Sequence, residues 1–444
     1  MKRRNIKIID LFAGVGGFRV AFNRVNKEIG KNFFNVIWGN QWEPSKKVQY
    51  AAEIYRKRFK VTDKEFVNDD IAKVKTKDIP EHDMLVGGFP CQDYSVATTM
   101  KLSKGLEGKK GVLWWEIERI IREKKAVGKA PEFLLLENVD RLITSPAKQR
   151  GRDFAIMLTC LDLLGYMVEW RIIDASAYGF PQRRKRIYIL GYRKGSSIYN
   201  SFKGDFESWV LKDGVFSETF GAIIKPDTKV EEVKLYKENK KNGKRPYYET
   251  IKYVSDNFNK SGKPKSPFKK AGVLYKGQVY TMDLEPVYKG EKWTLGRILI
   301  TDESQIPPEF FILEEEKGKW IELKGAKAIP KVGKGANGEK YEYTYREGAI
   351  TFPDDLDKPS RTIITGEGGK GPSRFKHVVL TPSGKWRRLT PVELERLDMF
   401  DDNHTEGYSP QTRAFLMGNA LVVGVIQDIA MGLYSKISKT ENKK

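Results

Sequence analysis

The chain predicts an α/β protein: a mostly parallel sheet with helices on both faces, joined to a smaller, basic, loop-rich domain. Three features carry that expectation. Between residues 6 and 191 short apolar runs alternate with helical patterns, as strand–helix–strand units require. From about residue 193 this gives way to short strands among Lys, Gly and Pro. Near residue 350 regular patterning resumes and ends in an apolar helix from Gly418. The expected division is therefore 1–192 for the first part of the main domain, 193–344 for the inserted one, and 345–444 for completion of the main domain.

The elements follow in order. IKIIDLF (6–12), VIWGN (36–40), MLVGGF (84–89), FLLLENV (133–139), MVEWRIIDA (167–175) and RIYILGY (186–192) read as strands. VQYAAEIYRKRF (48–59), LWWEIERIIREKK (113–125) and FAIMLTCLDLLG (154–165) place apolar residues three and four apart, as an amphipathic helix does. Periodicity leaves open whether the last strands run antiparallel. Within the insertion, residues 225–276 hold 15 Lys and Arg against 6 Asp and Glu.

Composition narrows the function classes. With 444 residues, 40% hydrophobic and 12% aromatic, the chain has the material for a large core and is not a disordered polymer. Eighty Lys and Arg against 58 Asp and Glu give +22, which favours a polyanion through counterion release but is equally a solubility trait. No 18-residue stretch is free of charge and no export signal is read in MKRRNIK, so no membrane partner is expected. Two cysteines and three histidines furnish neither a disulfide framework nor a zinc finger, so no metal site is expected and the setting is a reducing cytoplasm.

Several motifs fall at expected strand ends, where open sheets bind ligands. DLFAGVGG (10–17) joins the first strand to a helix, and Gly14, Gly16 and Gly17 allow a ligand close to the backbone; a purely structural turn reads the same way. Gln41, Trp42 and Glu43 end the second strand, offering a ribose acceptor and an indole, or simply a helix start before Pro44. Asp70, in VNDDI, offers a carboxylate to an exocyclic amine, or is simply a surface Asp at a strand end. GGFPCQDYS (87–95) sets Cys91 directly after Pro90, although a lone cysteine is usually a small buried hydrophobe. ENV (137–139) puts Glu137 at the end of a long apolar run, where a carboxyl group is costly without a partner or a task. QRRKR (182–186) aims Arg184 and Arg186 to one face at period two, although a basic pair on an exposed strand is ordinarily just solvated.

In this order, with RTIITGEGG (361–369) and GNALVV (418–423), these motifs resemble the series of the DNA (cytosine-5)-methyltransferases, of the bacterial restriction-modification type. The resemblance covers about 6–192 and 345–435, with 193–344 matching only as that family's variable target-recognition region. It implies a class I S-adenosyl-methionine-dependent, Rossmann-like fold with DNA in a cleft, and a C-terminal helix returning to the cofactor site. It implies that Cys91 is the nucleophile toward cytosine C6, Glu137 the protonated acid at N3, and Arg184 with Arg186 the holders of the cytosine carbonyl and a phosphate. Gln92, Ser95, Asn138, Val139 and Thr365 would touch the substrate.

For S-adenosyl-L-methionine the resemblance implies Phe12 on the adenine, with Ala13, Gly14, Gly16 and Gly17 beneath it. Trp42 would lie on the adenine's other side or near the ribose, Asp70 and Ile71 at the adenine edge, and Pro90, Leu113, Asn419 and Ala420 around the remainder. Two positions depart from the family: Gln41 stands where an acid usually holds the ribose, with Glu43 two residues on, and Ala420 replaces the more usual Ser. The loop through Thr98, Lys104, Gly105 and Gly111 resembles the segment that closes over a flipped base. The expected partners are double-stranded DNA and a cognate restriction endonuclease, for a monomer in the bacterial cytoplasm, at the nucleoid. A tRNA-methylating relative, a silent DNA binder and a dehydrogenase are the alternatives. The long insertion counts against the first, the intact Cys91, Glu137 and Arg184 against the second, and the prolyl-cysteine and Glu-Asn-Val motifs against the third.

Overall fold

The computed structural model describes residues 4–89, 113–236, 246–260, 265–334 and 338–441. Pro90, Cys91, Gln92 and Ser95, with Thr98, Lys104, Gly105 and Gly111 of the expected closing loop, lie outside the described residues. The chain divides into two compact units, one of residues 1–178, 184–290 and 423–444, the other of Gly179–Arg183 and Glu291–Val422.

The first unit is built on one sheet. Its strands are β1 (Ile6–Leu11), β2 (Phe34–Asn40), β3 (Phe66–Val67), β4 (Met84–Gly88), β5 (Phe133–Val139), β6 (Tyr166–Asp174) and β7 (Lys185–Arg193). A short pair, β8 (Ala222–Ile224) and β12 (Leu284–Pro286), stands apart from it, while β9 (Glu231–Lys234), β10 (Ala271–Tyr275) and β11 (Gln278–Met282) extend it. The order is β3-β2-β1-β4-β5-β7-β6-β10-β11-β9. β3 to β5 are mutually parallel across the sheet, and β7 inserts antiparallel between β5 and β6. That settles the direction that periodicity left open.

Helices α1 (Gly17–Glu28), α2 (Tyr50–Phe59), α3 (Leu113–Ala126) and α4 (Arg152–Leu164) alternate with these strands. α1 buries Phe18, Ala21, Phe22 and Val25, which recur at helical spacing. β4 and β5 bury Met84, Leu85 and Val86 and Leu134, Leu135 and Leu136 completely, so consecutive side chains on opposite faces are both covered. The helical run Pro410–Glu441 has the length and apolarity of a membrane span despite its charges, yet 56% of its most apolar window is buried. Val425, Ile426, Ile429 and Leu433 of Val423–Glu441 are fully buried, as in a core helix.

The compact units do not divide at 192/193 and 344/345. Residues 193–290 pack with the first unit because β10 pairs with β6 through Ala271–Leu274. Lysines dominate the composition there, but Val273, Leu274 and Val279 are fully buried and carry the sheet contact. In the second unit β13 (Lys327–Lys334) pairs with β14 (Lys340–Glu347) and β15 (Val378–Leu380) with β16 (Trp386–Arg388), beside helices Pro391–Leu397 and Pro410–Asn419.

Candidate active site

The carboxyl ends of β1, β2 and β3 place the glycine turn. Phe12, half-buried, takes φ 56°, an uncommon conformation for a side-chain-bearing residue, and Gly14 takes the same φ with open space where its Cβ would stand. The turn is fixed from β2: Ala13 N donates to Asn40 O at 3.0 Å, and Gly14 N donates to Gln41 Oε1 at 2.8 Å. Gly16, at φ 91°, has no room for a side chain, since a Cβ would come 2.2 Å from the Phe59 ring. Gly17 then starts α1.

Gln41 therefore spends its carbonyl oxygen on the glycine turn. Beside it, Trp42 is half-buried, and partial burial raises the Glu43 carboxyl above its ordinary pKa, with Lys46 opposing. Asp70 Oδ1 accepts from Ala72 N at 3.0 Å, and Ile71 is buried. Arg119 of α3 donates to the Ile71 carbonyl oxygen at 3.1 Å, which fixes this turn, while Leu113, half-buried, opens α3.

The second group forms where β4, β5 and β7 meet. Gly88 and Glu137 are register partners, and Glu137 Oε2 lies 3.2 Å from the position a Gly88 Cβ would take. Any side chain at 88 would press on that carboxyl group. Arg186, opposite Val139 on β7, pairs its Nε with Glu137 Oε1 at 2.9 Å. Arg184, one residue before β7, is buried at 3% exposure. Asn138, also buried, donates from Nδ2 to Phe89 O at 2.8 Å and accepts from Val139 N at 2.8 Å. Glu137, Asn138, Val139, Gly88 and Phe89 thus form one strand-end cluster immediately before Pro90 and Cys91 in the chain.

In the second unit, Gly418 lies so close to Thr365 that a Cβ would stand 2.5 Å from its backbone nitrogen. Thr365, Asn419 and Ala420 are brought together there, with Thr365 and Asn419 exposed and Asn419 Nδ2 donating to Phe415 O at 3.1 Å. The segment before Thr365 is held by Gln182, whose Oε1 accepts from Ile363 N at 3.1 Å and whose Nε2 donates to Asp398 Oδ1 at 2.9 Å. The glutamine of QRRKR is therefore structural.

Sequence reasoning passed over Asp10. It is fully buried, its two carboxyl oxygens have no hydrogen-bond partner among the described residues, and burial raises its pKa to about 8 against the pull of Arg19. The available signal was an acid inside the apolar run IKIIDLF. Phe89 was also missed, because it contributes a backbone carbonyl. Among the described residues no three His, Cys, Asp or Glu side chains are grouped to hold a metal ion.

A family model described as C-5 cytosine-specific DNA methylase matches residues 6–435. The Type II methyltransferase M.Sau3AI of Staphylococcus aureus is 40% identical over 427 residues, 96% of this chain and 94% of that protein. The Type II methyltransferase M.NgoBV of Neisseria gonorrhoeae is 27% identical over 461 residues, 96% and 98% of the two chains. Among solved structures, the Dnmt2 methyltransferase of S. pombe aligns with a TM-score of 0.55 at 16% identity over 97% of this chain and 99% of that one, a likeness of fold.

Proposed function

The chain belongs to the C-5 cytosine-specific DNA methylase family, and on that premise we propose that it methylates C5 of cytosine within a short specific sequence of double-stranded DNA, by base flipping and a covalent Cys91–C6 adduct, protecting DNA in a restriction-modification system. It is a DNA (cytosine-5)-methyltransferase with the class I S-adenosyl-methionine-dependent fold. The observation that carries the finer reading is the Glu137 carboxyl group lying against Gly88, three residues before Cys91 at the ends of two parallel strands.

The chemistry follows from these groups. Cytosine C5 is a weak nucleophile, so the Cys91 thiolate adds to C6 and forms an S–C6 bond. The displaced ring electron pair becomes available at C5, and the Glu137 carboxylic acid donates a proton to N3, offsetting charge on the ring. Arg184 and Arg186 hold the cytosine carbonyl and a nearby phosphate, and the 2.9 Å contact of Arg186 with Glu137 also orients the acid. Once C5 is methylated, it loses its proton to water, the C6–S bond breaks as the thiolate departs, and N3 returns its proton to the Glu137 carboxylate, restoring the aromatic ring. Addition at C6 and transfer to C5 come from above and below the ring plane, which stacking covers, and N3 is base-paired, so the base must leave the helix at a cost of a few kcal/mol.

S-adenosyl-L-methionine, when bound, supplies an electrophilic methyl group. The residues present suit it: open space over Gly14, the Phe12 ring, the half-buried Trp42 indole and the Glu43 carboxyl group offer an adenosine both faces and an acceptor. With Gln41 Oε1 taken by Gly14 N, the Glu43 carboxyl group is an acceptor for the ribose hydroxyls and the Gln41 side-chain amide a donor to one of them, so both belong to the proposed donor site. Ala13, Gly16, Gly17, Asp70, Ile71, Pro90, Leu113, Asn419 and Ala420 complete the proposed donor site, and Gln92, Ser95, Asn138, Val139 and Thr365 the proposed base site.

We assign target recognition to 193–344, and propose a monomer that acts at the nucleoid in the cytoplasm beside a cognate endonuclease. Incubation with labelled S-adenosyl-L-methionine and either duplex DNA or tRNA tests the substrate: label in DNA is expected, and label in tRNA alone overturns the reading. Bisulfite sequencing of DNA from expressing cells then reports the methylated sequence.

A further inference from the structure

In the second unit β13 and β14 form an antiparallel ribbon that joins no other strand among the described residues. Its register sets Ile329 opposite Tyr345, Lys331 opposite Tyr343 and Gly333 opposite Tyr341, so these six residues share one face. That face is open: Tyr341, Tyr343 and Tyr345 are 54, 42 and 37% exposed. Its parts are pre-arranged, with Lys331 Nζ 4.1 Å from the Tyr345 ring centroid and the Tyr341 and Tyr343 rings 5.7 Å apart. Gly333 lets the Tyr341 ring lie across the ribbon, since a Cβ there would meet it at 2.5 Å. The reverse face is exposed too, with Val332 at 61% and Lys340 and Arg346 in water.

A two-stranded ribbon is marginal without packing, and contiguous aromatic surface in water marks a contact site. The occupant follows from shape and charge. A DNA major groove, about 12 Å wide, admits a two-stranded ribbon. Lys327, Lys340 and Arg346 suit its phosphates within a chain of net charge +22. Of the ribbon's acids, Glu347 is already engaged by Arg374 Nε at 2.9 Å and by the Tyr345 hydroxyl at 3.0 Å.

We propose that the ribbon Lys327–Glu347 enters the major groove of the substrate duplex, with Lys331, Tyr343 and Tyr345 against base edges and Lys340 and Arg346 on phosphates. This rests on the DNA-methylating reading above. The test uses the full chain and its bisulfite-defined target, comparing methylation of that duplex with duplexes changed at single base pairs. In Y343A/Y345A, discrimination falls by about 10-fold or more, the order of one base-edge contact. In K340A/R346A, binding weakens on all duplexes alike and its salt dependence flattens. Binding of S-adenosyl-L-methionine reports folding, and Tyr343→Ser serves if the double variant loses it. Unchanged discrimination overturns the ribbon assignment and leaves the activity standing, and so does unchanged discrimination with altered sedimentation, which marks a self-association face. Failure of the parent chain to methylate any duplex overturns both.

Discussion

The Asn138 side-chain amide donates to the carbonyl oxygen of Phe89 at 2.8 Å, tying the Glu-Asn-Val motif on β5 to the residue that follows β4. At 2% exposure, Asn138 has little water to replace that bond. One side chain therefore sets where the backbone leaves the sheet immediately before Pro90 and Cys91.

Asn138→Ala leaves the buried Phe89 carbonyl without this donor, at a cost of about 1–3 kcal/mol. A lower unfolding midpoint and a reduced kcat are expected, with affinity for the methyl donor retained. Denaturation and steady-state kinetics check it; parent values for both midpoint and kcat would show that the bond holds nothing.

Glu137→Gln keeps the size of the side chain but removes the transferable proton. A fall in kcat of about 10²–10⁴-fold is expected, the range of general acid catalysis, with duplex binding preserved. Single-turnover methyl transfer measures it, and a loss confined to DNA affinity would exclude the acid role.

Cys91→Ser is expected to lower methylation by about 10³-fold or more, as removal of a nucleophile does in other enzymes. A duplex carrying 5-fluorocytosine should trap a covalent complex with the parent and none with the variant, because fluorine at C5 cannot leave as a proton does. Denaturing electrophoresis reads the result.

Gly418→Ala places a methyl group 2.5 Å from the Thr365 nitrogen, a backbone atom that cannot swing aside. Destabilisation of about 1–3 kcal/mol is expected from the overpacking. A denaturant titration resolves it, and a stability equal to the parent's would contradict the close approach.

Asp10 makes stability depend on pH in a stated direction. Burial holds its carboxyl at about 8, against 3.8 for an ordinary aspartate. Between those values the folded chain keeps a proton that the unfolded chain has released, so this contribution falls as pH rises from about 4 to about 8, then levels off. The slope is at most about 1.4 kcal/mol per pH unit. Asp10→Asn removes it, so parent and variant titrated at pH 5 and pH 8 should differ in pH dependence; parallel curves would refute the buried proton.

The candidate site was readable wherever chemistry is local. Residues 133–139 were legible as a strand because an unbroken apolar run ends in Glu-Asn-Val, and β5 spans Phe133–Val139. The glycine turn was legible because Gly14 and Gly16 take the positive φ that their lack of a side chain permits. Gln41 was not: its engagement with Gly14 joins residues 27 apart in sequence, across two strands. The lysine-rich stretch from 193 to 290 read as a separate domain because composition counts exposed residues, whereas attachment depends on the few buried ones, such as Val273 and Leu274, that pair with β6.

By itself the sequence determined most strand and helix segments between residues 6 and 192, the family, and the residue types available for thiol, acid and guanidinium chemistry, since these rest on periodicity and on short runs of neighbours. Tertiary structure alone decided that β7 runs antiparallel between β5 and β6, that Arg186 meets Glu137, and that the Asp10 carboxyl is cut off from water. Those outcomes depend on which strands lie side by side and on what covers both faces of the sheet, and hydrogen bonding and burial between distant segments leave no periodic trace in the chain.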